Sequence, residues 1–223
     1  MENDIRLFNK AKEILSSLSE EELSSRLGCL ELRDERKEIL FDILAGKKSI
    51  GFHAQLDIFL YVIKSLFREV FDSFDTKQHL YSSCELYEFD PPKNGQNIIK
   101  HGISFREVVS YSSKFGSLMV RCPDEKDTDR IVIFSDLSNL NGQWRLELPL
   151  NPEFKSDCYV ISIIHSRNMK FRFISSRVMS KNKNRKTLKN ALKNIYPNDP
   201  SRKNDFIDRC IKILDENLFE SHS

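Results

Sequence analysis

The pattern of apolar and polar positions changes character once along this chain. Up to about residue 80 the apolar residues recur at three- and four-residue spacing, the period of one helix face. Ile5, Phe8, Ala11, Ile14, Leu15 and Leu18 form the first such stripe. Ser19-Glu20-Glu21-Glu22 then predicts a helix start, because the Ser19 hydroxyl can accept from the Glu22 amide while Glu22 reaches back. Gly28 and Gly46 predict helix stops, since glycine takes the left-handed conformation without a Cβ penalty. The strongest stripe runs from Gln55 to about Phe74, through Leu56, Phe59, Leu60, Ile63, Phe67, Val70, Phe71 and Phe74. A stripe that wide predicts a core helix.

At about Cys84 the period shortens. CELYEF predicts a strand, and FDPPKNGQNIIKHG opens a helix with Asp90 as N-cap and Pro91 near its first position. Gly102 ends that helix, and Ser104 caps another in SFREVVSYS. SLMVRC, RIVIFSD, WRLELPL, DCYVISIIHS and KFRFISSR then read as strands, from their β-branched content or alternation. Two helices follow, roughly Lys183–Tyr196 and, after the breaker PNDPS, Asn204–Phe219. The expected architecture is α+β: an all-helical N-terminal domain over 1–80, an α+β domain over 84–196 and a C-terminal helix within 197–223.

Composition narrows the class. With 39% hydrophobic and 30% charged residues over 223 positions, the chain is expected to be globular, with one large core or two small ones. No apolar run approaches the ~20 residues of a membrane span. The first residues, MENDIRLFNKAKEI, hold no apolar core of a secretory signal. Cys29, Cys84, Cys122, Cys158 and Cys210 lie far apart without a CxxC pair, so they read as reduced thiols, mostly core fillers. A cytoplasmic protein without metal, cofactor or membrane partner is the expectation.

The net charge of +2 hides an asymmetry. Residues 166–203 hold twelve basic side chains against the single acid Asp199. Such a block attracts a polyanion or forms a solvated helix face. Its first part is a hairpin. A two-residue turn at Asn168-Met169 would pair Arg167 with Lys170, Ser166 with Phe171 and His165 with Arg172. One face would then carry Ile161, Ile163, His165 and Arg167 beside Lys170, Arg172 and Ile174, leaving Arg177 on the other. Like charges set opposite one another are destabilising without a negative partner, and an RNA phosphate is such a partner. Arginine suits phosphate through its two parallel donors, and histidine exchanges protons near neutral pH.

The run Phe89-Asp90-Pro91-x-Lys93-x-x-x-Asn97-x-x-Lys100-His101-Gly102-x-Ser104-Phe105 resembles a motif of the BrnT family. These are ribonuclease toxins of bacterial type II toxin–antitoxin pairs with a RelE-like α+β fold. The order downstream is also similar: Asp129-Arg130 before a strand, a strand ending in His165, and Phe171-Arg172-Phe173-Ile174-Ser175-Ser176-Arg177. The resemblance covers about residues 84–187. It departs in 137–156, which look inserted, and after Arg177, where Lys183 stands at the family's glutamate position and Thr187 at its tyrosine position.

The resemblance implies a RelE-like antiparallel sheet and RNA cleavage without metal, by attack of a ribose 2′-hydroxyl on the adjacent phosphorus. Arg130, Arg172 and Arg177 would stabilise the phosphate charge. Lys100, His101 and His165 would carry protons. Lys93, Arg167, Lys170, Lys181, Lys183 and Arg185 would hold the RNA backbone. Asp90 and Asn97 would cap and pin the helix. The implied partners are RNA and a cognate antitoxin, with the N-terminal helices as a surface for it or for another protein. The missing glutamate leaves a second expectation open: a BrnT-derived binding module, or a bacterial effector, without nuclease activity.

Overall fold

Residues 2–74, 81–84, 87–109, 118–122, 130–136, 148, 159–167 and 170–213 are described in a computed structural model of the protein. The first stripe becomes α1 (Glu2–Ser16), rotated slightly from the expected face: Leu7, Ala11 and Leu15 are buried, while Ile5 is 48% exposed. Helix α2 (Glu20–Gly28) starts at the anticipated capping box, with Ser19 and Glu22 bonded reciprocally. Gly28 does not stop it by a left-handed turn; α2 closes through Cys29 in the right-handed region. Helix α3 (Asp34–Leu44) does lead to Gly46 at φ 72°.

The strongest stripe forms α4 (Phe52–Leu66), in which every residue from Leu56 to Ile63 is buried. It is shorter than the pattern suggests. The chain breaks at Phe67 (φ −137°, ψ 58°), and Arg68–Asp72 forms a separate short helix, α5. The break turns Phe71 against Phe74, with ring centroids 6.2 Å apart.

Strands β1 (Tyr81–Cys84) and β2 (Tyr87–Phe89) precede α6 (Pro91–His101). Asp90 sits at the N-cap position of α6, but its side chain makes no cap bond. Pro92 has removed one amide a cap would use, and the Asp90 carboxylate instead accepts from Lys64 Nζ at 3.0 Å. Gly102 ends α6 at φ 79°, as its position implies. Ser104 and Glu107 form the second reciprocal cap, at 3.1 and 2.7 Å, opening a helical segment at 105–109.

Strands β3 (Leu118–Arg121), β4 (Arg130–Asp136), β5 (Tyr159–Arg167) and β6 (Lys170–Met179) complete a sheet of order β1-β2-β6-β5-β4-β3. It is mixed rather than antiparallel, because β6 returns beside β2 in the same direction. A parallel neighbour requires a long crossover, which α6 and β3–β5 supply. The segment WRLELPL lies outside the described residues except Leu148, which is buried.

Helices α7 (Lys181–Ala191) and α8 (Pro200–Lys212) begin earlier than the sequence reading placed them. Ser180 accepts from the Lys183 amide and Asp199 from the Arg202 amide, and Pro200 occupies a first-turn position rather than breaking the helix. Both helices pack on one face of the sheet through Leu188, Leu192 and Ile207 against Val132, Phe134 and Met179. The opposite face closes over Phe89, Ile103, Phe105, Val108, Ile164 and Phe173.

The helical N-terminal region and the sheet share their packing. Ile98 and Ile99 of α6 belong to the same apolar cluster as α1–α5. At the crossing of α4 and α6, a Cβ on Gly95 would overlap the Asp57 carbonyl and come within 2.7 Å of the Ile58 nitrogen. A glycine inside a helix costs ~1 kcal/mol relative to alanine, so its presence here reflects that close approach.

Asp57 lies beneath the crossing, fully buried. Its Oδ2 accepts from Asn94 Nδ2 at 2.7 Å, and Asn94 Oδ1 accepts from the Phe105 amide at 2.7 Å. Burial pushes the Asp57 carboxyl up to about 7, against the pull of Asn94 and Arg106. The folded chain therefore holds a proton there that the unfolded chain releases near pH 4. The stability from that proton is complete at low pH and is lost as pH rises through 7. Asp57→Asn removes the titration. Melting curves from pH 5 to 9 are expected to show the variant gaining on the wild type as pH rises; a constant difference would show that Asp57 does not titrate in this range.

Candidate functional site

The hairpin register is the one the turn demands. Arg167 pairs with Lys170, Ser166 with Phe171 and His165 with Arg172. On the flanking strands, Arg130 of β4 pairs with His165, and Glu88 of β2 pairs with Arg172. A row Glu88–Arg172–His165–Arg130 therefore crosses four adjacent strands on one face. It is the face that α7 and α8 cover further along, at Val132 and Phe134. Glu88, Arg172, His165 and Arg130 are each half-buried.

Arg130 Nε donates to His165 Nε2 at 3.3 Å. That bond requires a lone pair on Nε2, so the imidazole is neutral here with its proton on Nδ1. Glu88 escaped the sequence reading. Its alternation with buried Phe89 marks it as facing away from the core, but its arrival beside Arg172 depends on the parallel pairing of β2 with β6.

Arg177 is on the face of His165, contrary to the alternation expected from the sequence. Ile163 pairs with Ser175 and Ile164 with Phe173, so Ile174 is an extra residue and the parity of β6 reverses beyond it. Arg177 then pairs with Ile161 and is exposed. The distortion is held from α6. Asn97 Oδ1 accepts from the Ser176 amide at 2.9 Å, while Asn97 Nδ2 donates to the Ile103 carbonyl at 2.8 Å. Ser162 and Ser176 share a buried hydroxyl bond of 2.8 Å across the strands. Asn97 is thus a pin, 5% exposed, between the end of α6 and β6.

Lys100 and His101 close α6, both half-buried. Burial pushes the His101 imidazole down to about 4, and Arg177, Lys100, Arg36 and Arg33 push it the same way. His101 is therefore neutral at neutral pH. Arg177 is the member of the hairpin that acts on it. Arg33 and Arg36 come from α3, in the region where the sequence reading found no site residue.

The remaining backbone candidates scatter. Lys93 is exposed in the first turn of α6, and Lys170 is half-buried beside the hairpin turn. Lys181, Lys183 and Arg185 lie on the first turns of α7, with Lys183 exposed and the other two half-buried. Thr187 Oγ1 donates back to the Lys183 carbonyl at 2.9 Å, within its own helix. Cys29 is exposed, Cys122 half-buried and Cys210 buried, all free thiols, so the three described cysteines are not uniformly core.

Among the described residues no group of three or more His, Cys, Asp or Glu side chains could hold a metal ion. No helix among them is long and apolar enough to cross a membrane. Compared with protein-family models, curated proteins and solved structures, the chain finds no match.

The pin sets a testable cost. Asn97→Ala leaves the Ser176 amide and the Ile103 carbonyl buried without this partner, at ~1–3 kcal/mol for each group. Urea unfolding should show a loss of roughly 3 kcal/mol. A loss below ~0.5 kcal/mol would mean that β6 keeps its course without α6.

Proposed function

We propose that this chain is a BrnT-like endoribonuclease, with the RNA backbone lying across the Arg130–His165–Arg172 row. The single observation that carries the reading is that row: two arginines flank one neutral histidine on neighbouring strands. Two guanidinium groups at cross-strand distance repel each other, and a phosphodiester between them relieves that repulsion and receives up to four parallel hydrogen bonds. The anionic oxygen is also a stronger acceptor for Arg130 Nε than an imidazole nitrogen. When Arg130 turns to phosphate, His165 Nε2 is free to take the 2′-hydroxyl proton. The 2′-oxygen then bonds to phosphorus, the bond to the 5′-oxygen breaks, and a cyclic phosphate and a 5′-hydroxyl result. The extra charge on the phosphoryl oxygens falls to Arg130 and Arg172.

The leaving 5′-oxygen needs a proton. Neutral His101 supplies none at neutral pH. His165 in its protonated state, after taking the 2′-proton, can return it, as one base serving both halves of the step.

A second reading has its own support. Lys183 stands exposed where the resemblance implies a glutamate, and Thr187 bonds into its own helix where it implies a tyrosine. A chain without those groups could hold RNA uncut, as a binding module.

The test is incubation of the whole chain with a labelled RNA in the presence of EDTA. The expected products end in a 2′,3′-cyclic phosphate. His165→Ala and Arg172→Ala should each slow cleavage ~10²-fold or more. RNA that is bound and never cut would favour the binding module, and RNA that is neither bound nor cut would overturn both readings.

A further inference from the structure

The second basic cluster lies away from the hairpin row, where three elements meet. Helix α3 packs against the C-terminal part of α6, and α6 is tied to β6 through Asn97 and the Ser176 amide. This packing gathers Arg33 and Arg36 from α3, Lys100 and His101 from α6, and Arg177 from β6. Arg36 is 2% exposed, so a guanidinium has been taken from water into this junction. Arg33 and Arg177 are exposed, and Lys100 and His101 are half-buried, so solvent reaches the same place. The charges that act on His101 are all cations, and Glu35 is the acid that acts on Arg36. One carboxylate against three arginines and a lysine leaves a local excess of positive charge.

We infer that Arg33 and Arg36 complete, with Lys100, His101 and Arg177, a binding site for a phosphate group at the junction of α3, α6 and β6. Guanidinium groups match phosphate oxygens with paired parallel donors, and Lys100 adds a mobile point charge. The imidazole of His101 takes part differently. A bound anion favours its charged form, so phosphate binding draws a proton onto His101 and the added N–H becomes a donor. The helical N-terminal region thereby contributes directly to ligand binding. This assignment stands apart from RNA cleavage, since it needs no chemistry on the bound phosphate.

The experiment follows the His101 imidazole by proton NMR across pH in the whole chain, with the resonance assigned by its loss in His101→Gln. In chloride buffer the midpoint should lie near pH 4. Millimolar inorganic phosphate at constant ionic strength should raise it by about one pH unit or more, equivalent to about tenfold tighter phosphate binding to the protonated form. Arg33→Glu changes an exposed residue and should keep the amide spectrum of the sheet, while weakening phosphate binding by about tenfold or more. A short single-stranded RNA that shifts His101 at lower concentration than inorganic phosphate would identify a backbone phosphodiester as the preferred source. An equal or smaller shift would identify free phosphate. A midpoint that ignores both ligands, or an equal phosphate response in Arg33→Glu, would overturn the site. Loss of RNA cleavage in any variant would leave this result untouched.

Discussion

The crossing of α4 and α6 is the contact on which the rest of the molecule depends. Gly95 lets the two backbones meet with no side chain between them, at the Asp57 carbonyl. Three consecutive features of α6 then work outward from that point. Asn94 reaches into α4 through Asp57 and forward to the Phe105 amide. Ile98 and Ile99 fill the core of the N-terminal helices. Asn97 turns to the sheet and holds the Ser176 amide. One short helix therefore faces the helical region, its own following loop and the last strand at once. Burying an acid and two amides here is tolerable because each amide is bonded on both sides, as buried polar groups require.

The location of the charged residues follows from this arrangement. Beyond the bulge at Ile174, Arg177 points to the face that carries His165, and it also acts on His101 at the end of α6. The two basic clusters are thus linked through one strand. In the hairpin row the repulsion between Arg130 and Arg172 is moderated by Glu88 at one end and by the neutral imidazole between them. At the junction with α3 the balance is poorer, and the cost shows as a histidine held neutral well below its ordinary range.

Much of this was legible from local rules. The capping boxes at Ser19 and Ser104, the left-handed stops at Gly46 and Gly102, and the hairpin pairing of His165 with Arg172 each depend on residues within one turn of structure. What was not legible depends on distant partners. No glycine or proline marks the bulge at Ile174; it is held by Asn97, far away in sequence. Asp90 has the residue type of a cap, yet Lys64 takes its carboxylate. Gly95 reads as a flaw in a helix until α4 is laid against it. Arg33 and Arg36 read as a solvated helix start, and only the packing of α3 on α6 brings them to His101. The two ends of the α+β motif were recognisable as sequence; the contribution of the N-terminal helices to the same neighbourhood was not.

The central claim is that the N-terminal helices and the sheet form one cooperative unit through the α4–α6 crossing. Native-state hydrogen exchange tests it most directly, by comparing amides of α4 with those of β5 and β6. The account predicts that both sets open with the same free energy and the same denaturant dependence, and that Gly95→Ala lowers both together. Contradiction would come from α1–α4 amides that open at a lower free energy while β5 and β6 stay protected and unaffected by the substitution.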